Sequence, residues 1–274
     1  MSPAALSASY LLARSLLRWC AAPLPWLREA FEAIAAAILA LFSRAPTGSS
    51  HTPAPADPLA LLRAEYPNLA ELVTAKSLLD FGCGHGDQAV ALATAYGCRV
   101  TGLDTNLQAL SAARDRYGSL ARFADRLDGE QFDVVASQDA MEHFPDPKEA
   151  LEAMLAAVRP GGVVLITFGP PWWSPWGSHM HFFCRLPWVN VLFPERAVMA
   201  VRARYRSDGA RRYEEVESGL NKMSLEKFER LTDRPDMQIE SRRYTAVKGL
   251  NVLTSLPVLR ELMTNRVSVV IRKG

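Results

Sequence analysis

Cysteine is scarce in this chain. Cys20, Cys83, Cys98 and Cys184 are scattered through 274 residues without paired spacing. That excludes a disulfide framework and a four-cysteine zinc site, and a reducing cytoplasm is the simplest compartment. An excess of one charge is missing too. With 31 Lys and Arg against 29 Asp and Glu, the net charge is +2, too balanced for a bulk electrostatic nucleic-acid binder. Long apolar runs are also missing. Ala33–Phe42 is ten apolar residues, where a membrane-crossing helix needs ~20, and Arg28, Glu29 and Glu32 interrupt any wider window. No A-x-A site follows a basic start and short apolar core, so no secretory leader is expected. No internal repeat is visible.

What is present is an ordinary globular composition, 49% hydrophobic and 22% charged. A chain of this length is one large domain with additions or two small ones. Residues 1–43 form a helical extension. In it, Tyr10–Cys20 places Leu11, Leu12, Leu16, Leu17 and Trp19 at amphipathic spacing beside Arg14 and Arg18. Pro23 and Pro25 separate that segment from a second helix over Trp26–Ser43. Two readings stand: a helical hairpin packed on the body or poorly ordered, or peripheral membrane contact through residues 4–43. Residues 44–75 are a Pro, Ser and Thr rich linker, RAPTGSSHTPAPADP, with a lead-in helix.

From Lys76 to Gly274 short apolar runs alternate with helical stretches. Ser77–Phe81, Cys98–Leu103, Phe132–Ser137 and Val163–Phe168 read as buried strands; Gln88–Tyr96, Leu107–Tyr117 and Pro147–Val158 read as helices. The alternation implies βαβ units, a doubly wound α/β fold, and ligand binding at the carboxyl ends of the strands. Asp80-Phe-Gly82-Cys-Gly84-His-Gly86 follows the first strand. Three alternate glycines let the chain turn sharply and a ligand approach the backbone at a helix start. An ordinary strand-to-helix turn needs fewer. Asp104 closes the second strand, 22 residues beyond Gly82, where a carboxylate can accept from a ribose diol or cap the helix that starts near Asn106. The spacing is not the G-x-G-x-x-G dinucleotide fingerprint.

The glycine loop LLDFGCGHG (Leu78–Gly86), VTGLD (Val100–Asp104), FDVVASQDAMEHFPDP (Phe132–Pro147) and VRPGGVVLITF (Val158–Phe168) together resemble the class I S-adenosylmethionine-dependent methyltransferases of the small-molecule, type 11-like kind. The resemblance runs from Lys76 to Gly274. It implies a Rossmann-like, seven-stranded, mostly parallel sheet in the order 3-2-1-4-5-7-6 with strand 7 antiparallel. Met237–Val247 and Arg266–Arg272 would be the closing hairpin, with a helix over Gly249–Thr264 between them. It also implies S-adenosyl-L-methionine as cofactor. Gly82, Gly84 and Gly86 would line its methionine part, Asp80 would hold the loop or the cofactor amine, and Asp104 would bind the ribose hydroxyls. Asp125 would face the adenine amine, with Asp128 the alternative because the stretch to Phe132 is short. Gln138 would lie beside the methionine portion.

The substrate side of such a fold is the loop after strand 5 and its insertion, here 169–222. Gly169–Phe183 packs Trp172, Trp173, Trp176, His179, His181, Phe182 and Phe183 into fifteen residues, which line an apolar acceptor or pack a lid. His179 and His181 would point to opposite sides of an extended segment. Either could take a hydroxyl proton near neutral pH, as could His143 after Glu142; the plainer reading of each is a histidine bonded within its loop. His-x-His with Cys184 lacks a zinc spacing and a fourth ligand, so no metal is expected. Arg202, Arg204, Arg206, Arg211 and Arg212, followed by Glu214, Glu215 and Glu217, read as a solvated, ion-paired face or a site for an anionic substrate.

The expected function is methyl transfer to a small-molecule acceptor, a hydroxyl of a glycan or glycolipid precursor or of an aromatic or lipid-like metabolite. The rival readings are a scaffold that keeps the fold without catalysis and a nicotinamide oxidoreductase. The glycine loop with Asp104 argues against the first, the loop spacing against the second.

Overall fold

The computed structural model describes residues 25–44 and 57–274. Two compact units divide them. One holds residues 57–169, 227–243 and 266–274, the other 25–44, 170–226 and 244–265. In chain order the helices and strands are α1 (Pro25–Phe42), α2 (Ala60–Glu65), α3 (Leu69–Val73), β1 (Ser77–Phe81), α4 (Asp87–Tyr96), β2 (Arg99–Leu103) and α5 (Leu107–Tyr117). There follow β3 (Arg122–Ala124), β4 (Phe132–Gln138), α6 (Pro147–Ala157), β5 (Val158–Phe168), α7 (Val189–Leu192) and α8 (Glu195–Arg202). The chain closes with α9 (Leu225–Thr232), β6 (Met237–Ala246), α10 (Pro257–Met263) and β7 (Thr264–Lys273).

The seven strands form one sheet in the order β3-β2-β1-β4-β5-β7-β6. β1 pairs in parallel with both β2 and β4, β4 with β5, and β5 pairs antiparallel with β7. The expected order and the reversed last strand are both found. Leu78, Leu79, Val134, Val135 and Ala136 are fully buried, as a strand covered on both faces requires. The strand order reverses beside β1, with β2 and β3 on one side and β4 and β5 on the other, and a reversal of this kind opens a crevice at the carboxyl ends of the strands. Helix starts are set locally. Asn106 Oδ1 accepts from the Gln108 and Ala109 N–H groups ahead of α5, and Asp146 Oδ1 accepts from Lys148 and Glu149 ahead of α6. Asn106, rather than Asp104, is therefore the cap of α5.

Two elements differ from the sequence expectation. β5 begins at Val158, five residues before the apolar run, because a register shift between Phe132 and Val134 carries Pro160-Gly161-Gly162 along as an irregular, largely exposed edge. The C-terminal helix is split into a 3-10 turn over Asn251–Ser255 and α10, because Pro257 has no N–H to continue the first and is favoured at the start of the second.

The other unit is held by a separate core of Leu39, Met180, Phe183, Val198, Val201 and Tyr213. α1 packs against α8, and its end is pinned where Arg44 N–H donates to Phe183 O at 2.8 Å. Within this unit the buried Arg202 guanidinium grips Asp208 with two hydrogen bonds of 2.7 and 2.6 Å. Tyr10–Cys20 lies outside the described residues. Among the described residues no helix is long and apolar enough to cross a membrane.

Candidate active site

The sheet places the motif residues at its carboxyl edge. After β1 the backbone turns so that Gly82 and Cys83 N–H groups both donate to Leu103 O, at 2.8 and 3.0 Å. The loop then passes through Gly84 at φ +52° and Gly86 at φ +81°. The two glycines serve different needs. A Cβ on Gly86 would stand 2.5 Å from the Phe123 ring, so that position is required by packing. A Cβ on Gly84 would meet nothing within 4 Å, so its backbone faces open space.

Two carboxylates frame that loop. Asp104 is tied to it: Oδ2 accepts the Gly84 N–H at 2.7 Å and Oδ1 the Asn106 N–H at 2.8 Å. Each oxygen retains a second lone pair. Asp80 is buried at the end of β1. Its Oδ1 accepts from Gln88 Nε2 at 2.8 Å, and its Oδ2 has no hydrogen-bond partner. Burial raises the Asp80 carboxyl to about 7, with Asp104 adding to the rise and the Gln88 bond opposing it.

Asp125 stands exposed directly after β3, and Asp128 lies three residues on, 3.8 Å from Arg126. Gln138 ends β4, its Oε1 buried and without a hydrogen-bond partner. His143 follows in a turn, its N–H donating to Ala140 O at 2.9 Å. Three groups here were not singled out from sequence. Glu142 is buried, accepts the Gly169 N–H at 3.0 Å on Oε1, and leaves Oε2 unpartnered. Burial lifts its carboxyl to about 8, so it is mostly protonated at neutral pH. Asp139, at φ +50°, pairs with Arg266 of β7 at 2.5 Å. Gln88 secures Asp80 from the first turn of α4. The signal for Gln88 was its place in the first turn after the glycine loop. Arg266 could be paired with Asp139 only once β7 was in place.

His179 and His181 belong to the other unit. Their segment is not extended. Ser174, Gly177 and His179 N–H groups each close a turn, onto Pro171, Ser174 and Trp176 carbonyls at 2.9, 3.1 and 2.9 Å. Alternation therefore does not set which way the two rings point. His179 is half-buried at φ +54°, and His181 is exposed with its ring edge-on to Trp176 at 5.1 Å. The tryptophans are anchored within this unit. Trp172 meets Tyr213 edge-on at 4.9 Å, its carbonyl accepts from Asn190 Nδ2 at 2.7 Å, and Trp188 Nε1 donates to Trp173 O at 3.1 Å.

A sheet of this order, with a glycine turn after β1 latched to a carboxylate after β2, defines a class I methyltransferase architecture. The sequence profile of a family described as "Methyltransferase domain" matches residues 26–182, and the chain belongs to that family. It is similar to the ubiquinone biosynthesis O-methyltransferases of Aromatoleum aromaticum (34% identity over 117 residues, 39% of this chain and 49% of that protein) and Erwinia tasmaniensis (35% over 103 residues, 34% and 42%). The chain spans about half the length of the curated relatives it matches. Among solved structures it resembles an S-adenosylmethionine-dependent methyltransferase from Mesorhizobium loti (16% identity, TM-score 0.50, 77% of this chain and 98% of that one). It also resembles the cyclase SpnF (14% identity, TM-score 0.51, 89% and 95%). At these identities the two structures speak for the fold alone.

The family's cofactor is S-adenosylmethionine, and the residues present fit it. The open face of Gly84, the free lone pairs of Asp104 and the unpartnered buried oxygen of Asp80 offer room, hydroxyl acceptors and a place for a cation.

Proposed function

We propose that the protein methylates a hydroxyl of a small-molecule acceptor, a sugar hydroxyl of a glycan or glycolipid precursor or an aromatic or lipid-like hydroxyl. The Gly84–Asp104 latch beside the buried Asp80 carries this reading. The O-methyltransferase names of the matched relatives support the choice of oxygen.

S-adenosylmethionine, when bound, supplies an electrophilic methyl group on a positively charged sulfur. What this chain adds is mainly position. Gly84 exposes backbone, and Asp104 offers acceptors for a ribose diol while keeping the loop in register. Asp80, its carboxyl raised to about 7 by burial, offers an unpartnered oxygen to the cofactor amine and binds it in the ionised form, and Gln138 brings an amide oxygen to the end of β4. Asp125 is the group assigned to the adenine amine. An acceptor hydroxyl must also lose its proton, and His143, His179 and His181 are the candidates for that step.

The test is incubation of the purified chain with methyl-labelled S-adenosylmethionine and metabolite extracts, read by mass spectrometry. A labelled, methyl-bearing product is expected. Measurable cofactor binding with no product from any extract would overturn the enzymatic reading in favour of a binding role.

A further inference from the structure

α1 has two apolar faces, and among the described residues only one is packed. Ala35 and Leu39 are buried on the inner side. Leu27, Phe31, Ile34, Ile38 and Leu41 recur every three or four residues, which puts them on one stripe of the helix. They range from 39% exposed at Leu27 to 83% at Leu41. At a helical turn of about 100° per residue, all three charges of α1, Arg28, Glu29 and Glu32, fall outside that stripe. A contiguous uncharged patch of this kind on a surface is an interaction site.

The patch runs into a groove through Phe31. The groove, between α1 and the segment from Pro194 to Glu215, has a volume of about 1370 Å³. Five arginines line it, Arg28, Arg196, Arg206, Arg211 and Arg212, against three glutamates. The glutamates are engaged within the protein, and so are three of the arginines, Arg28 and Arg196 on Glu32 and Arg212 at 3.6 Å from Glu214. Glu32 accepts from Arg28 and Arg196, Glu195 from Lys222 and the Tyr213 N–H, and Glu215 from the Arg211 N–H. The sequence adds to the same sign: residues 1–28 contain Arg14, Arg18 and Arg28 and no Asp or Glu.

We propose that this face docks on a bilayer that contains anionic phospholipid. The apolar stripe of α1 enters the boundary between headgroups and acyl chains, and the arginine-lined groove receives phosphate headgroups. Charge complementarity selects this occupant. A second copy of the chain would bring the same cationic rim against itself, whereas an anionic lipid surface attracts it. The stripe is too short to span and lies in the plane of the interface.

The test is flotation of the full chain with vesicles of phosphatidylcholine, with and without phosphatidylglycerol. Binding is expected with phosphatidylglycerol only, and it should weaken as salt rises. Ile34→Glu with Ile38→Glu should abolish flotation, and Arg211→Glu with Arg212→Glu should weaken it and flatten its salt dependence. All these positions are exposed, so circular dichroism and calorimetric affinity for S-adenosylmethionine should match the wild type. That control separates failure of docking from failure of the catalytic reading. No flotation of the wild-type chain, or undiminished flotation of the Ile34→Glu, Ile38→Glu protein, would overturn the proposal. So would a wild-type dimer in sedimentation that these two substitutions dissolve without any vesicle binding.

Discussion

The Gly84 N–H donates to the Asp104 carboxylate at 2.7 Å, across the gap between the first and second strand ends. One side chain therefore fixes the loop, and it is the one proposed to offer acceptors to a ribose diol. Asp104→Ala should weaken S-adenosylmethionine binding about tenfold to a hundredfold in titration calorimetry, the equivalent of the ~1.5–3 kcal/mol that a hydrogen bond to a charged group contributes. The rise in melting temperature that the cofactor gives the wild type should shrink in parallel. Unchanged affinity would remove Asp104 from the cofactor site.

Gly84 and Gly86 should separate folding from binding. Gly86→Ala meets both a left-handed backbone and the Phe123 ring, and about 2–5 kcal/mol of stability should be lost. Gly84→Ala meets only the backbone cost, about 1–2 kcal/mol, because its Cβ enters open space. It should fold and yet bind cofactor poorly, since the methyl occupies room the ligand needs. Denaturant melts and calorimetry on both variants check the contrast. Wild-type cofactor affinity in the Gly84→Ala protein would mean that the open face is not used.

These two glycines also show what could be read from the sequence. The loop and Asp104 were legible because they are local, whereas the strand order came only with the resemblance to the methyltransferase family. Glycine at alternate positions, an acid closing an apolar run and an apolar run of strand length each carry their meaning within a few residues. Asn106 was hidden behind Asp104 as the cap because both are plausible caps at neighbouring positions, and only the backbone angles decide. The Asp139–Arg266 pair joins residues 127 apart and depends on β7 taking its place beside β5. His179 and His181 were judged by the period of a strand, but Pro171, Pro175 and Gly177 bend their segment into successive turns. Gly177 permits this because a Cβ there would stand 2.3 Å from Pro171 O.

Asp80 should make stability depend on pH with an unusual sign. Its carboxyl is raised to about 7 in the folded chain, against ~3.9 unfolded. Between those values the native state binds the proton and the unfolded state does not, so stability falls as pH rises from about 4 to about 7. Asp80→Asn keeps an acceptor for Gln88 and removes the charge. Without ligand, its melting temperature should exceed that of the wild type at pH 8 and lose this dependence. Its affinity for S-adenosylmethionine should drop, whereas the wild-type affinity should increase from pH 6 to pH 8 as the carboxylate forms. Equal affinity of variant and wild type at pH 8 would mean that Asp80 serves only the loop.

The proton of the acceptor hydroxyl gives the last test. His143 lies on the turn after β4, His179 on a strained backbone and His181 on the Trp176 ring. A histidine that serves as base contributes roughly a hundredfold or more to the rate. It also imposes an acid limb on the pH–rate profile, because its protonated form cannot accept the proton. With the acceptor found by the labelling screen, one alanine variant of the three should lose kcat by about that factor and lose the acid limb, while its calorimetric affinity for S-adenosylmethionine stays as in the wild type. The other two should move KM or stability alone. If all three variants keep both kcat and the acid limb, the acceptor releases its proton without a histidine, and the acid limb belongs to another group.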